Sequence, residues 1–106
     1  MRAGDELWLC HLRFVTASRA EVACGFLGWV SCHVHGTLWL RGMRVRRLTS
    51  GRIKIKVRRG GRDMFEGLVR IDDPTRARIQ ELILADSGFR FALDAIGVHV
   101  SEVRHA

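Results

Sequence analysis

Ten of the eighteen basic residues in this 106-residue chain fall within residues 41–62: Arg41, Arg44, Arg46, Arg47, Arg52, Lys54, Lys56, Arg58, Arg59 and Arg62. No Asp or Glu occurs between Val22 and Arg62, so positive charge is segregated as well as abundant. Lysine and arginine neutralise phosphates by displacing condensed counterions. The chemistry expected of this stretch is therefore polyanion binding. Arginine outnumbers lysine sixteen to two, a ratio that suits forked recognition of phosphate oxygens or guanine edges and that a genome rich in G and C would equally produce. The net charge of +7 and a pI near 10.9 fit a nucleic-acid-binding domain.

Other chemistry is less well supplied. His33 and His35, two apart on a strand, would share one face, and Cys10, His11, Cys24 and Cys32 are further candidate metal ligands. Cys24 and Cys32 would point away from the histidine pair, and there is no Cys-x-x-Cys, so no metal or other cofactor is expected. No phosphate-binding loop, HExxH or Gly-x-Ser-x-Gly is present, and the chain is not expected to be an enzyme. Asp72 and Asp73 are adjacent carboxylates, but their place before Pro74 makes them a helix start rather than an acid–base pair. No small-molecule substrate is indicated.

The elements that would hold the basic residues follow from periodicity. Arg52, Ile53, Lys54, Ile55, Lys56, Val57 and Arg58 alternate basic and apolar, as do Met43, Arg44, Val45 and Arg46, with Thr49-Ser50-Gly51 between them. This predicts a hairpin with a three-residue loop and Gly51 in the left-handed position. Its register sets Arg46 opposite Lys54, Arg44 opposite Lys56 and Val45 opposite Ile55. Four cations stacked on one face are understandable where a polyanion neutralises them, and otherwise describe a protected edge strand.

Upstream, residues 7–15 read as a strand, 16–20 as a polar connection and 22–35 as a long strand. In that strand Val22, Cys24, Phe26, Val30, Cys32 and Val34 share one face, and Leu27, Trp29, His33 and His35 the other. His35-Gly36-Thr37 forms a second hairpin corner. The alternation slips between Leu40 and Met43, which predicts a bulge at Gly42. Downstream, Gly60-Gly61 is a flexible corner, 64–71 a short strand, and Asp72-Asp73-Pro74 opens a helix that Gly88 stops. The expected fold is α+β: an antiparallel sheet of four to five strands with one main helix. Residues 1–88 form the domain, and 89–106 a C-terminal extension of undecided structure. Leu27, Trp29, Leu38, Trp39 and Leu40 exceed what such a sheet covers, so a homo-oligomer, a dimer first, is expected. The acidic Asp5 and Glu6 do not suit a secretory leader, and three cysteines suit a cytoplasmic protein with free thiols. The apolar stretch around 26–40 is interrupted by histidines and glycines, so neither a membrane span nor a membrane partner is expected.

Four pieces of the sequence resemble the SpoVG family of bacterial septation and sporulation regulators. They are Met43-Arg44-Val45 after a hydrophobic strand, the glycine turn at Gly51, Arg58-Arg59 at a basic strand end, and Thr75-Arg76-x-x-Ile79-Gln80 at a helix start. The chain departs from the family at Gly42, where an acidic or amide residue is usual, and at Val57, where proline is. The resemblance implies strand-mediated dimers that bind DNA in a sequence-directed way, with RNA as an alternative ligand, and a role in transcription or cell division. It assigns the basic loop to Arg58 and Arg59, with Arg62 nearby. The charge pattern adds Arg44, Arg46, Arg52, Lys54 and Lys56 as phosphate contacts. An oligomeric adaptor without catalytic activity is the alternative reading.

Overall fold

The computed structural model describes residues 7–35, 38–63 and 67–100, with 61–63 and 67–68 as backbone only. The elements run β1 (Leu9–Thr16), α1 (Arg19–Ala23), β2 (Phe26–Val34), β3 (Leu38–Arg47), β4 (Ile53–Lys56), β5 (Gly60–Asp63), β6 (Gly67–Arg70), α2 (Asp73–Ala85) and α3 (Ser87–Ala95). The fold is α+β, and its six strands form one antiparallel sheet in the order β1-β2-β3-β5-β6. The long strand β3 shares one edge between two partners, β4 along residues 44–47 and β5 along 38–39. That edge accounts for the strand beyond the expected four or five. Gly60-Gly61 is not a corner but the start of β5, where it pairs with Val69 and Arg70 of β6. The strand expected over 64–71 is described from Gly67 to Arg70, and Met64 to Glu66 lie outside the described residues.

Three irregularities decide which side chains enter the core. In β1 the register slips between Cys10 and Arg13, with His11 in the left-handed region at φ 52°. Leu7 and Leu9 therefore face the core before the bulge, and Leu12 and Phe14 after it. In β2 a slip between Phe26 and Gly28 turns Leu27 inward and leaves Phe26 beside Trp29, opposite to the faces expected from strict alternation. Gly28 has φ 145°, and a Cβ there would lie 2.1 Å from the Val15 carbonyl oxygen, so only glycine lets β1 and β2 approach. In β3 the expected bulge occurs at Gly42, at φ 65°, whose N–H donates to Ser31 Oγ at 3.0 Å. Leu38 and Leu40 before it, and Met43 and Val45 after it, are all buried.

Helices α2 and α3 cover the inner sheet face, and Ile79, Ile83, Phe89 and Leu93 close the core against Leu27, Val30, Val34 and Val45. Burial there pushes the Cys32 thiol up to about 12, with the neighbouring Cys10 and Asp86 adding smaller contributions, so this thiol stays protonated. Asp72 caps α2 by accepting from the Thr75 N–H at 2.8 Å, with Pro74 in the first turn. The helix ends before Gly88, because Asp86 both terminates it and caps α3 by accepting from the Phe89 N–H at 2.9 Å. The stretch expected as an extension from residue 89 thus carries most of α3 and contributes Phe89, Leu93 and Val98 to the common core. Residues 16–20, expected as a connection, lead into α1, whose Ser18 and Glu21 form a reciprocal capping box. Among the described residues no helix is long and apolar enough to cross a membrane.

Candidate nucleic-acid interface

The basic hairpin has the register its alternation dictates: Arg44 faces Lys56, Val45 faces Ile55 and Arg46 faces Lys54. Gly51 sits at φ 89°, and the Leu48 N–H donates to the Arg52 carbonyl at 2.8 Å to close the loop. Val45 and Ile55 are buried while Arg44, Arg46, Lys54 and Lys56 are exposed on the opposite face of the hairpin. A groove of about 980 Å³ lies between the hairpin and α2, lined by these four cations and Arg47 and, from α2, by Asp73, Arg76, Ala77 and Gln80. Among the described residues, none of Arg44, Arg46, Arg52, Lys54, Lys56, Arg58 or Arg59 has a carboxylate partner. Their charge is available to an external anion. Arg76 and Arg78, by contrast, form local ion pairs with Asp73 and Glu81.

The other basic candidates are spread out. Arg52 is exposed at the hairpin end. Arg58 and Arg59 are exposed in the link from β4 to β5, where the Arg59 carbonyl accepts from the Ile71 N–H at 2.6 Å. Arg62, on β5, pairs through its backbone with Trp39 of β3, and its side chain is outside the described set. Four of the eight candidate residues thus form one compact cluster.

Aromatic side chains on the same outer face are what sequence reasoning did not assemble. Trp29 lies directly opposite Arg44, and His33 opposite Trp39, in the β2–β3 register. Phe26 meets Trp29 edge-on with centroids 5.0 Å apart, and the Arg44 guanidinium lies 4.8 Å from the Phe26 ring centroid. The Arg41 guanidinium lies 5.2 Å from the Trp39 centroid, and His33 stacks on Trp39 at 5.9 Å. Both tryptophans keep more than a third of their surface exposed, 37% for Trp29 and 38% for Trp39. Such a face can stack planar groups while adjacent cations hold an anionic backbone. The signal lay in Gly28 and Gly42: a face swap at both puts Phe26, Trp29, Trp39 and the hairpin cations on one side. The same swaps bury Leu27, Leu38 and Leu40 within the chain, leaving Trp29 and Trp39 as the exposed members of the apolar set expected at an oligomer interface.

No protein-family model matches the chain, and neither a curated protein nor a solved structure matches it. The four motifs singled out in the sequence fall in β3, the β3–β4 turn, the β4–β5 link and the first turns of α2.

Proposed function

We propose that the protein binds nucleic acid, RNA or DNA, across the outer face of its sheet and the basic hairpin, and acts as a regulator of the SpoVG kind, as a homo-oligomer. One observation carries the reading: four cations with no carboxylate partner among the described residues share a sheet face with two half-exposed tryptophans and Phe26. Single-stranded segments suit that mixture best, because unpaired bases offer faces for stacking and the backbone offers charge.

The test is fluorescence anisotropy with single-stranded RNA, single-stranded DNA and random duplex across a salt series, using the wild type and Lys54→Ala/Lys56→Ala. If about four phosphates are neutralised, log K falls against log salt with a slope near −2.8 for single strands and −3.6 for duplex. The double variant should give a shallower slope. Absence of binding at low salt overturns the reading.

The oligomeric adaptor is the second reading, favoured by Phe91, which is 77% exposed on α3, and by exposed Val15 and Trp8. Self-association with salt-insensitive, negligible nucleic-acid binding would select it.

A further inference from the structure

On the outer face, at the end of the sheet away from the hairpin turn, Cys10, His11 and His33 bring three metal-binding atoms within 4.8 Å of one another. Cys10 and His33 are direct partners in the β1–β2 register. In a regular strand His11 would point away from both. The bulge that follows Cys10, with His11 in the left-handed region, turns its imidazole back toward His33, and the two rings meet edge to face at 5.2 Å. A non-glycine residue at positive φ is uncommon, and such conformations gather where side chains are aimed for use. His33 is also held in place, stacked on Trp39 at an interplanar angle of 14°. Its Nδ1 is shielded from solvent and has no hydrogen-bond partner among the described residues. A shielded nitrogen without a partner is costly unless something else occupies it.

We propose that Cys10, His11 and His33 form a binding site for a borderline-soft divalent cation, zinc first, with the fourth position open to water or an external ligand. One sulfur and two imidazole nitrogens favour zinc, cobalt or nickel over magnesium or calcium. Tetrahedral zinc places such ligand atoms about 3.4–3.6 Å apart, so binding asks for a contraction of at most about an ångström from the separations seen. His11 is exposed and leaves a route in from solvent. Cys24, Cys32 and His35 take no part: Cys32 is in the core, Cys24 caps α1, and His35 stacks on Trp8. The site departs from the sequence expectation of no metal, which weighed Cys24 and Cys32 against the histidine pair and did not include the bulge at His11.

The test is titration of the chelator-treated full chain with cobalt(II). Tetrahedral coordination with thiolate gives a sulfur-to-cobalt charge-transfer band in the near ultraviolet and intense d–d bands in the visible, both lost when zinc displaces the cobalt. The bands should appear at equimolar metal, vanish in Cys10→Ala, weaken in His33→Asn and persist in Cys24→Ser. A charge-transfer band that survives Cys10→Ala, or none in the wild type, overturns the site. A measurement free of folding effects is alkylation of the wild type by iodoacetamide, read by peptide mass spectrometry. Zinc should slow modification of Cys10 and leave Cys24 unchanged; equal rates at Cys10 with and without zinc would refute the proposal. Neither readout depends on nucleic-acid binding.

Discussion

The Ile55 backbone N–H donates to Gln80 Oε1 at 2.9 Å, which ties the outer edge of β4 to α2. An edge strand otherwise presents unpaired backbone groups that invite pairing with another chain. Here a helix side chain occupies that donor and fixes the height of the basic hairpin over the core. Gln80→Ala should lower stability by about 1 kcal/mol and speed hydrogen exchange at the Ile55 amide. Native-state exchange read by NMR checks both, and an unchanged Ile55 rate would remove Gln80 from the account of how the hairpin is held.

Asp72 supplies an acid-sensitive contribution. Hydrogen bonds from the Thr75 side chain, and then from its N–H, hold the Asp72 carboxyl below its ordinary range. Because the folded-state pKa is depressed, the stabilisation is complete above the unfolded value of about 3.9 and is lost as pH falls through the folded value. Asp72→Ala should therefore lower the melting temperature at neutral pH, and the difference from wild type should shrink at an acid pH below the unfolded value of about 3.9. Thermal unfolding followed by circular dichroism at both pH values gives the comparison. A constant difference would point to packing around Pro74 instead.

Among the described glycines, Gly28 leaves the least room for a side chain. At φ 145°, with a Cβ placed 2.1 Å from the Val15 carbonyl oxygen, any side chain must push β1 from β2 or undo the slip that buries Leu27. Gly28→Ala should cost about 3 kcal/mol or more. Gly42→Ala meets no atom within 4 Å and carries only the backbone strain of its positive φ, so it should cost less. Urea denaturation of the two variants tests that ordering.

The parts of the fold legible in the sequence are those where side-chain pattern and backbone requirement coincide. The hairpin register follows because basic and apolar residues alternate on both sides of a glycine turn, and only one pairing keeps the faces unmixed. The Gly42 bulge follows because the alternation slips at a residue that tolerates left-handed backbone. The His11 bulge was illegible, since no glycine marks it and the flanking residues are apolar on both faces. Strand β5 was illegible for another reason: Gly60-Gly61 has the composition of a corner, and its place on the edge of β3 depends on a partner more than twenty residues away in sequence. Phe89, Phe91 and Leu93 alternate like a strand, yet Asp86 caps a helix that buries Phe89 and Leu93 and leaves Phe91 outside. The four clustered cations of the candidate site were readable because they share one hairpin. The tryptophans were not, because joining them to that cluster needed both glycine bulges to be placed correctly.

Trp29 and Trp39 separate stacking from charge in the proposed interface. Trp29 faces Arg44 across the strands and contacts Phe26, so it lies within the cation cluster, whereas Trp39 lies under Arg41 beside His33 at the other end of the face. If bases stack on both, Trp29→Ala and Trp39→Ala should each weaken single-stranded RNA binding by about 1–3 kcal/mol without changing the salt slope, because no phosphate contact is removed. Arg44→Ala/Arg46→Ala should do the reverse, lowering the slope along with the affinity. Binding should also quench tryptophan fluorescence in the wild type, and less so in each single variant. If the tryptophan variants bind as tightly as wild type while the arginine pair loses its slope, the face works by charge alone, and duplex should then compete as well as single strand.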